Sequence, residues 1–299
     1  MPRLSITTAW NEASAILKRD FGALFAIALA FMLLPNFAFQ ALVPRLIDPS
    51  AGISLRLIIV PFLLLLPVAL MSAVGSLAIT TLALGRERVV GSAIGHAVRR
   101  VLPMLGAGAL LLLGFVLVCA PLFFAVGLRA QDVLQPTPAV LGRFLLAMLV
   151  FFAIFLFVGV RLMMMTPVAA GETAGPIGII RRSWQLTRGR FWKLFGFLLL
   201  MVIVLGLVGG VASLVLGIVI AAVAGAPEPG SASGLLLLLV SLLVNSAFAV
   251  VMATMIARIY LQLAGEGPVS AERVDVPAGP RPPARVRRDG DAESAGTSD

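Results

Sequence analysis

The sequence predicts an all-α fold: a polytopic membrane protein of six transmembrane helices, built as three repeats of an interfacial amphipathic helix plus a transmembrane hairpin. Three observations predict it. The 299 residues are 60% hydrophobic and only 12% charged, against roughly 45–50% and 25% in soluble domains, so too few charges exist to cover a soluble surface. The apolar residues come in long unbroken runs. The basic residues collect between those runs, and a basic amphipathic stretch precedes each pair of them.

Each element can be justified in turn. A helix needs roughly 20 apolar residues to cross a hydrocarbon core of about 30 Å. Segments 21–43, 57–84, 102–128, 144–165, 194–224 and 235–263 meet that length, and none contains Asp or Glu. Arg161 and Arg258 carry the full charges inside these windows, near one end of each, where a long side chain can snorkel to the headgroups. Stretches 9–21, 93–104 and 179–191 precede the three hairpins. In the first, Ile6, Trp10, Ala13 and Leu17 recur at helical steps; in the third, Ile177, Ile180 and Trp184 do. Such helices lie in the interface with cations among the headgroups. The unit recurs about every 80–90 residues. Gly85-Arg86, Arg161 and Arg258 mark matching exits of the even-numbered spans.

Within the spans, Pro35, Pro61, Pro67, Pro103 and Pro121 are expected to kink helices and free carbonyls. Gly206 and Gly210 form a GxxxG, extended by Ser213 and Gly217, that permits close helix approach. Lys and Arg set the orientation. Arg3, Lys18 and Arg19, then Arg86, Arg88, Arg99 and Arg100, then Arg181, Arg182, Arg188, Arg190 and Lys193 fall on one side; Arg45, Arg56, Arg129 and Arg143 fall on the other. Both termini are therefore expected in the cytoplasm of a bacterial-type inner (plasma) membrane. The first span follows a mixed-charge segment and is expected to be retained rather than cleaved. Residues 1–266 read as the six-span domain, and 267–299, rich in Pro, Gly, Arg and Asp, as a disordered cytoplasmic tail.

Charge and chemistry exclude several function classes. The net charge of +9 lies beside apolar runs and not on an aromatic-lined soluble stripe, so no nucleic-acid partner is expected. Cys119 lies in an apolar run and His96 sits beside Arg99 and Arg100. One Cys and one His supply neither a metal site nor a catalytic base, so no catalytic residue, cofactor or metal is expected. Proton-coupled transport needs ionisable groups at mid-membrane, and the spans have none there; the candidate polar groups are Asn36, Gln40, Thr80, Thr81 and Asn245. Asn245 is expected to hydrogen-bond across to another helix.

The most specific stretch is 161–195, RLMMMTPVAAGETAGPIGIIRRSWQLTRGRFWKLF. It resembles the membrane domain family associated with glycerophosphoryl diester phosphodiesterases. The resemblance rests on Arg161, Pro167 and Glu172, followed by Arg182, Ser183, Trp184, Leu186, Thr187, Gly189, Phe191 and Trp192. Some relatives in that family fuse this region to a catalytic barrel that needs an HR-type motif and metal-binding carboxylates. With His96 alone available, the resemblance implies a membrane domain without phosphodiesterase activity. The residues themselves read as an interfacial elbow. Gly175-Pro176 breaks the chain and Gly189 lets it turn; Arg181, Arg182, Arg188, Arg190 and Lys193 face headgroup phosphates. Trp184 and Trp192 anchor at the interface, and Glu172 pairs with Arg161 or Arg182. The expected role is non-enzymatic: organising anionic lipid, a protein partner or a homo-oligomer through the basic helices. The alternative is a channel or transporter for an apolar or lipid-like solute.

Overall fold

The structure is a computed structural model, and it describes residues 5–46, 55–125, 137–225, 228 and 230–265. The tail at 267–299 and Arg129 lie outside the described residues. Among the described residues every regular element is a helix. In order these are α1 (Ile6–Ala28), a π-helical turn (Leu29–Leu33), α2 (Leu34–Leu46), α3 (Leu55–Ala83), α4 (Val90–Ala125), α5 (Pro138–Leu162), α6 (Met165–Gly171), α7 (Pro176–Thr187), α8 (Phe191–Ala224) and α9 (Ala232–Ala264). Among the described residues, six helical stretches are long and apolar enough to cross a membrane.

Local chemistry sets the starts. The Ser5, Thr137 and Ser231 hydroxyls accept from the backbone N–H groups of Thr8, Val140 and Gly234, covering donors that the first helical turn leaves open. Pro138 and Pro176 open α5 and α7, where a missing N–H costs nothing. The π turn precedes Pro35. A proline ring crowds the carbonyl four residues back, and the wider turn relieves that crowding without breaking the helix.

One end of the bundle holds most of the core. Leu24, Leu77, Ile79, Leu84, Met164, Ile179, Leu194, Met255, Ile259 and Tyr260 are all fully buried there or nearly so. Gly75 lets α3 approach the π-helical turn closely, since a Cβ there would lie 2.8 Å from Phe31 Cβ. Thr80, Thr81 and Thr254 are buried and donate to the carbonyls of Ser76, Leu77 and Val250 in their own helices. Asn36 donates to Met32 O and to Ser72 Oγ on α3. Asn36 thus ties α2 to α3, while the threonine hydroxyls are satisfied within their own helices.

Several expectations are corrected. Of the three interfacial stretches, only α7 is a separate helix. Stretch 9–21 is continuous with the first span and stretch 93–104 is the opening of α4. Neither contains a left-handed glycine or a Gly-Pro pair to break the helix, whereas Gly189 beside α7 has φ +78°. The packing stripes are also shifted. Ala9, Ala13 and Ile16 are buried in α1 while Trp10 is exposed; Ile179, Ser183, Leu186 and Thr187 are buried in α7 while Ile177 and Trp184 face outward. Asn245 is exposed and makes no cross-helix bond among the described residues, because it lies on a face of α9 that no neighbour covers. Gly206 and Gly210 face open space, and it is Gly209 that admits Phe248 of α9.

Candidate functional site

The segment from the end of α5 to the start of α8 forms the elbow. α5 ends at Leu162, and α6 and α7 turn the chain before α8 begins. The N-terminus of α7 rests on α4, where a Cβ at Gly106 would lie 3.1 Å from Pro176 Cγ. Its other end is pinned to α5: Ser183 Oγ donates to Arg161 O at 2.9 Å and Thr187 Oγ1 to the same oxygen at 3.3 Å. Ser183 and Thr187 sit four residues apart on one face, so the two hydroxyls share a carbonyl that the end of α5 leaves open. Gly189 then adopts φ +78°, which a side chain disfavours, and α8 starts at Phe191.

That arrangement encloses Arg161. Its guanidinium carbon lies 5.5, 5.2 and 5.7 Å from the ring centroids of Phe157, Trp184 and Phe191. The rings belong to α5, α7 and α8, and they touch one another, with Phe157 centred 6.0 Å from Trp184 and 5.2 Å from Phe191. Each cation–π contact is worth about 0.5–2 kcal/mol, more when water is excluded. Nε and Nη1 of Arg161 are buried without a hydrogen-bond partner.

Glu172 does not reach Arg161. Of the two partners expected for it, Arg182 is the one it has, with Nε donating to Oε1 at 2.9 Å. The same oxygen accepts from Tyr260 Oη at 2.9 Å. Tyr260 is fully buried, and a buried phenol needs an acceptor, so this bond fastens α9 to the α6–α7 junction. Gly171 makes room for it, since a Cβ there would sit 3.2 Å from Tyr260 Oη and 3.5 Å from Arg86 Nη2. His96, half-buried on α4, donates through Nε2 to Ala170 O at 3.1 Å, which satisfies a terminal carbonyl of α6.

The remaining expected residues are on the outside. Arg181, Arg188, Trp192 and Lys193 are exposed, and Arg190 is half-buried. Trp192 is 78% exposed and Trp184 40%. Trp192 also stacks edge-on with Phe191 and Phe195, so a continuous aromatic band runs across the elbow. Sequence reading missed Tyr260, Phe157 and the cage role of Phe191. The available signal was that Tyr260 is the chain's sole tyrosine, placed among apolar residues just after Arg258.

Fold and site together define a helical protein with six membrane-length helices and a basic, aromatic-rimmed elbow at one end. The chain belongs to the family of the domain of unknown function DUF7847, whose model matches residues 4–263. No curated protein matches it, and no solved structure does.

Proposed function

We propose that this is a non-enzymatic integral membrane protein that organises anionic lipid, or a partner held at the same surface, through its basic elbow. Its six long helices cross the bilayer, and the elbow lies in the cytoplasmic headgroup layer. The observation that carries this reading is the outward face of α7 and early α8. It presents Arg181, Arg188 and Lys193 beside exposed Trp184 and Trp192, the pairing of cations and amphipathic rings that suits a membrane interface. The long helices support the membrane setting: Leu113, Leu117, Leu145, Leu149 and Phe152 are exposed, which hydrocarbon tolerates and water does not. The resemblance of 161–195 to the membrane domain associated with glycerophosphoryl diester phosphodiesterases supports the same reading.

The test is native mass spectrometry of protein extracted gently from its own membrane. A retained anionic phospholipid or subunit that disappears in R181Q/R188Q/K193Q supports the proposal; a bare monomer counts against it. A second reading, passage of an apolar or lipid-like solute, is favoured by Asn245, an exposed and unbonded amide within α9. Liposome flux assays comparing the wild type with Asn245→Leu separate the two.

A further inference from the structure

Arg161 poses a charge problem. Segment 161–195 contains a single acidic residue, Glu172, and its Oε1 is taken by Arg182 and Tyr260. Among the described residues, no carboxylate is paired with Arg161. The end of the α5 dipole offsets part of the charge, and the three rings offset part through their faces. Neither accepts a hydrogen bond in the guanidinium plane. Nε and Nη1 are closed off, which leaves Nη2 as the one nitrogen through which the group can meet an anion.

The surroundings indicate what kind of anion. The cage stands at the last turn of a membrane-length helix, where phospholipid phosphates lie if that helix spans. Exposed cations flank it at Arg188 and Lys193. Phe157 of the cage and Trp192 beside it are exposed, and exposed apolar side chains continue along α8 at Leu199 and Leu200. A free phosphate has no use for that apolar strip, whereas a lipid has acyl chains to lay along it.

Resting on the membrane reading above, we infer that Arg161 is the anchor of a single phospholipid site. Its Nη2 donates to a phosphate oxygen of the lipid, while Phe157, Trp184 and Phe191 hold the guanidinium in place. Arg188 and Lys193 contribute attraction without geometry. Lysine does not replace Arg161, because an ammonium lacks the flat faces that three rings enclose.

The test uses the full chain, stripped of lipid in neutral detergent and titrated with phosphatidylglycerol under native mass spectrometry. Diacylglycerol of the same chains and inorganic phosphate are run in parallel. The wild type takes up one phosphatidylglycerol and does not take up diacylglycerol. R161Q weakens that adduct about tenfold or more, the worth of one charge-assisted hydrogen bond, with helicity unchanged by circular dichroism. R161K weakens it as well. Should R161Q not fold, the wild-type preference for phosphatidylglycerol over diacylglycerol and the loss of binding in Trp184→Leu decide instead. Undiminished binding by R161Q, or equal uptake of diacylglycerol, overturns the site. Displacement by millimolar inorganic phosphate also overturns it, in favour of a free anion. Loss in R181Q/R188Q/K193Q with R161Q intact overturns this site alone and leaves the lipid-organising function standing; loss in neither overturns both.

Discussion

The two ends of the bundle are built on different principles. At the elbow end, helices meet through buried side chains and named polar bonds: Tyr260 to Glu172, His96 to Ala170 O, and Ser183 and Thr187 to Arg161 O. At the other end, α4, α5 and α8 bury little beyond Cys119, Val140, Ala147, Gly209 and Ile220. Apolar side chains there point outward, and α4 meets α5 through rings, with Phe115 centred 5.0 Å from Phe151. In hydrocarbon there is no hydrophobic gain from bringing apolar helices together. Close packing and polar bonds must hold them, and both are concentrated at the elbow. The elbow end therefore sets the shape, and the far end takes its solvation from its surroundings.

The sharpest way to break this comparison is a matched pair of leucine truncations. Leu77 is fully buried and Leu117 is 66% exposed. Leu77→Ala should cost about 2 kcal/mol or more, because a cavity opens that the neighbours only partly fill. Leu117→Ala should change stability by less than about 0.5 kcal/mol. Thermal unfolding in one detergent measures both. Equal losses would show that the far end is packed after all.

Next in size is Gly171. An alanine Cβ would crowd Tyr260 Oη at 3.2 Å, and overpacking of this kind costs roughly 1–3 kcal/mol. Gly171→Ala should lower the melting temperature, while Gly206→Ala should not.

The Tyr260–Glu172 bond comes third. Tyr260→Phe removes one donor from Glu172 and should cost about 1 kcal/mol. Glu172→Ala takes an acceptor from the buried phenol and a partner from Arg182 and should cost about 1–3 kcal/mol, whereas the exposed Glu228 should be replaceable by Ala with little change. The Arg182 partner is half-exposed, so its share stays within about 1 kcal/mol. A double-mutant cycle over Tyr260 and Glu172 isolates the pair. A coupling near zero would remove this bond from the polar contacts that hold α9 to the elbow.

These residues also show what could be read in advance. The six helices were legible because span length and charge exclusion are local properties of the chain. The elbow was legible because Gly175-Pro176 and Gly189 mark breaks, and its cations and tryptophans are contiguous. The partner choice of Glu172 was not. It depends on Tyr260, which lies 88 positions away and reaches Glu172 only once α9 packs against α6. The cage around Arg161 was hidden for a similar reason, since its rings come from three helices. The amphipathic stripes of α1 and α7 were misplaced because periodicity reports an apolar face without saying whether lipid or protein covers it. In a membrane protein those two coverings demand the same residues.

The smallest expected effect tests the far end most directly. Gly206 and Gly210 form a GxxxG that meets nothing within 4 Å, while Gly209 beside them carries the contact with Phe248. With no neighbour to displace, replacing both by alanine should stabilise α8 slightly, by up to about 1 kcal/mol per residue, because glycine costs more backbone entropy in a helix. Unfolding and oligomeric state, measured together in detergent and in lipid nanodiscs, report the result. A slight gain with no change in assembly keeps the far end as a lipid-facing surface. A loss of stability, or a loss of dimer, would mean that a second copy covers α8 along this stripe. The contrast between the two ends would then hold for one chain and not for the assembly.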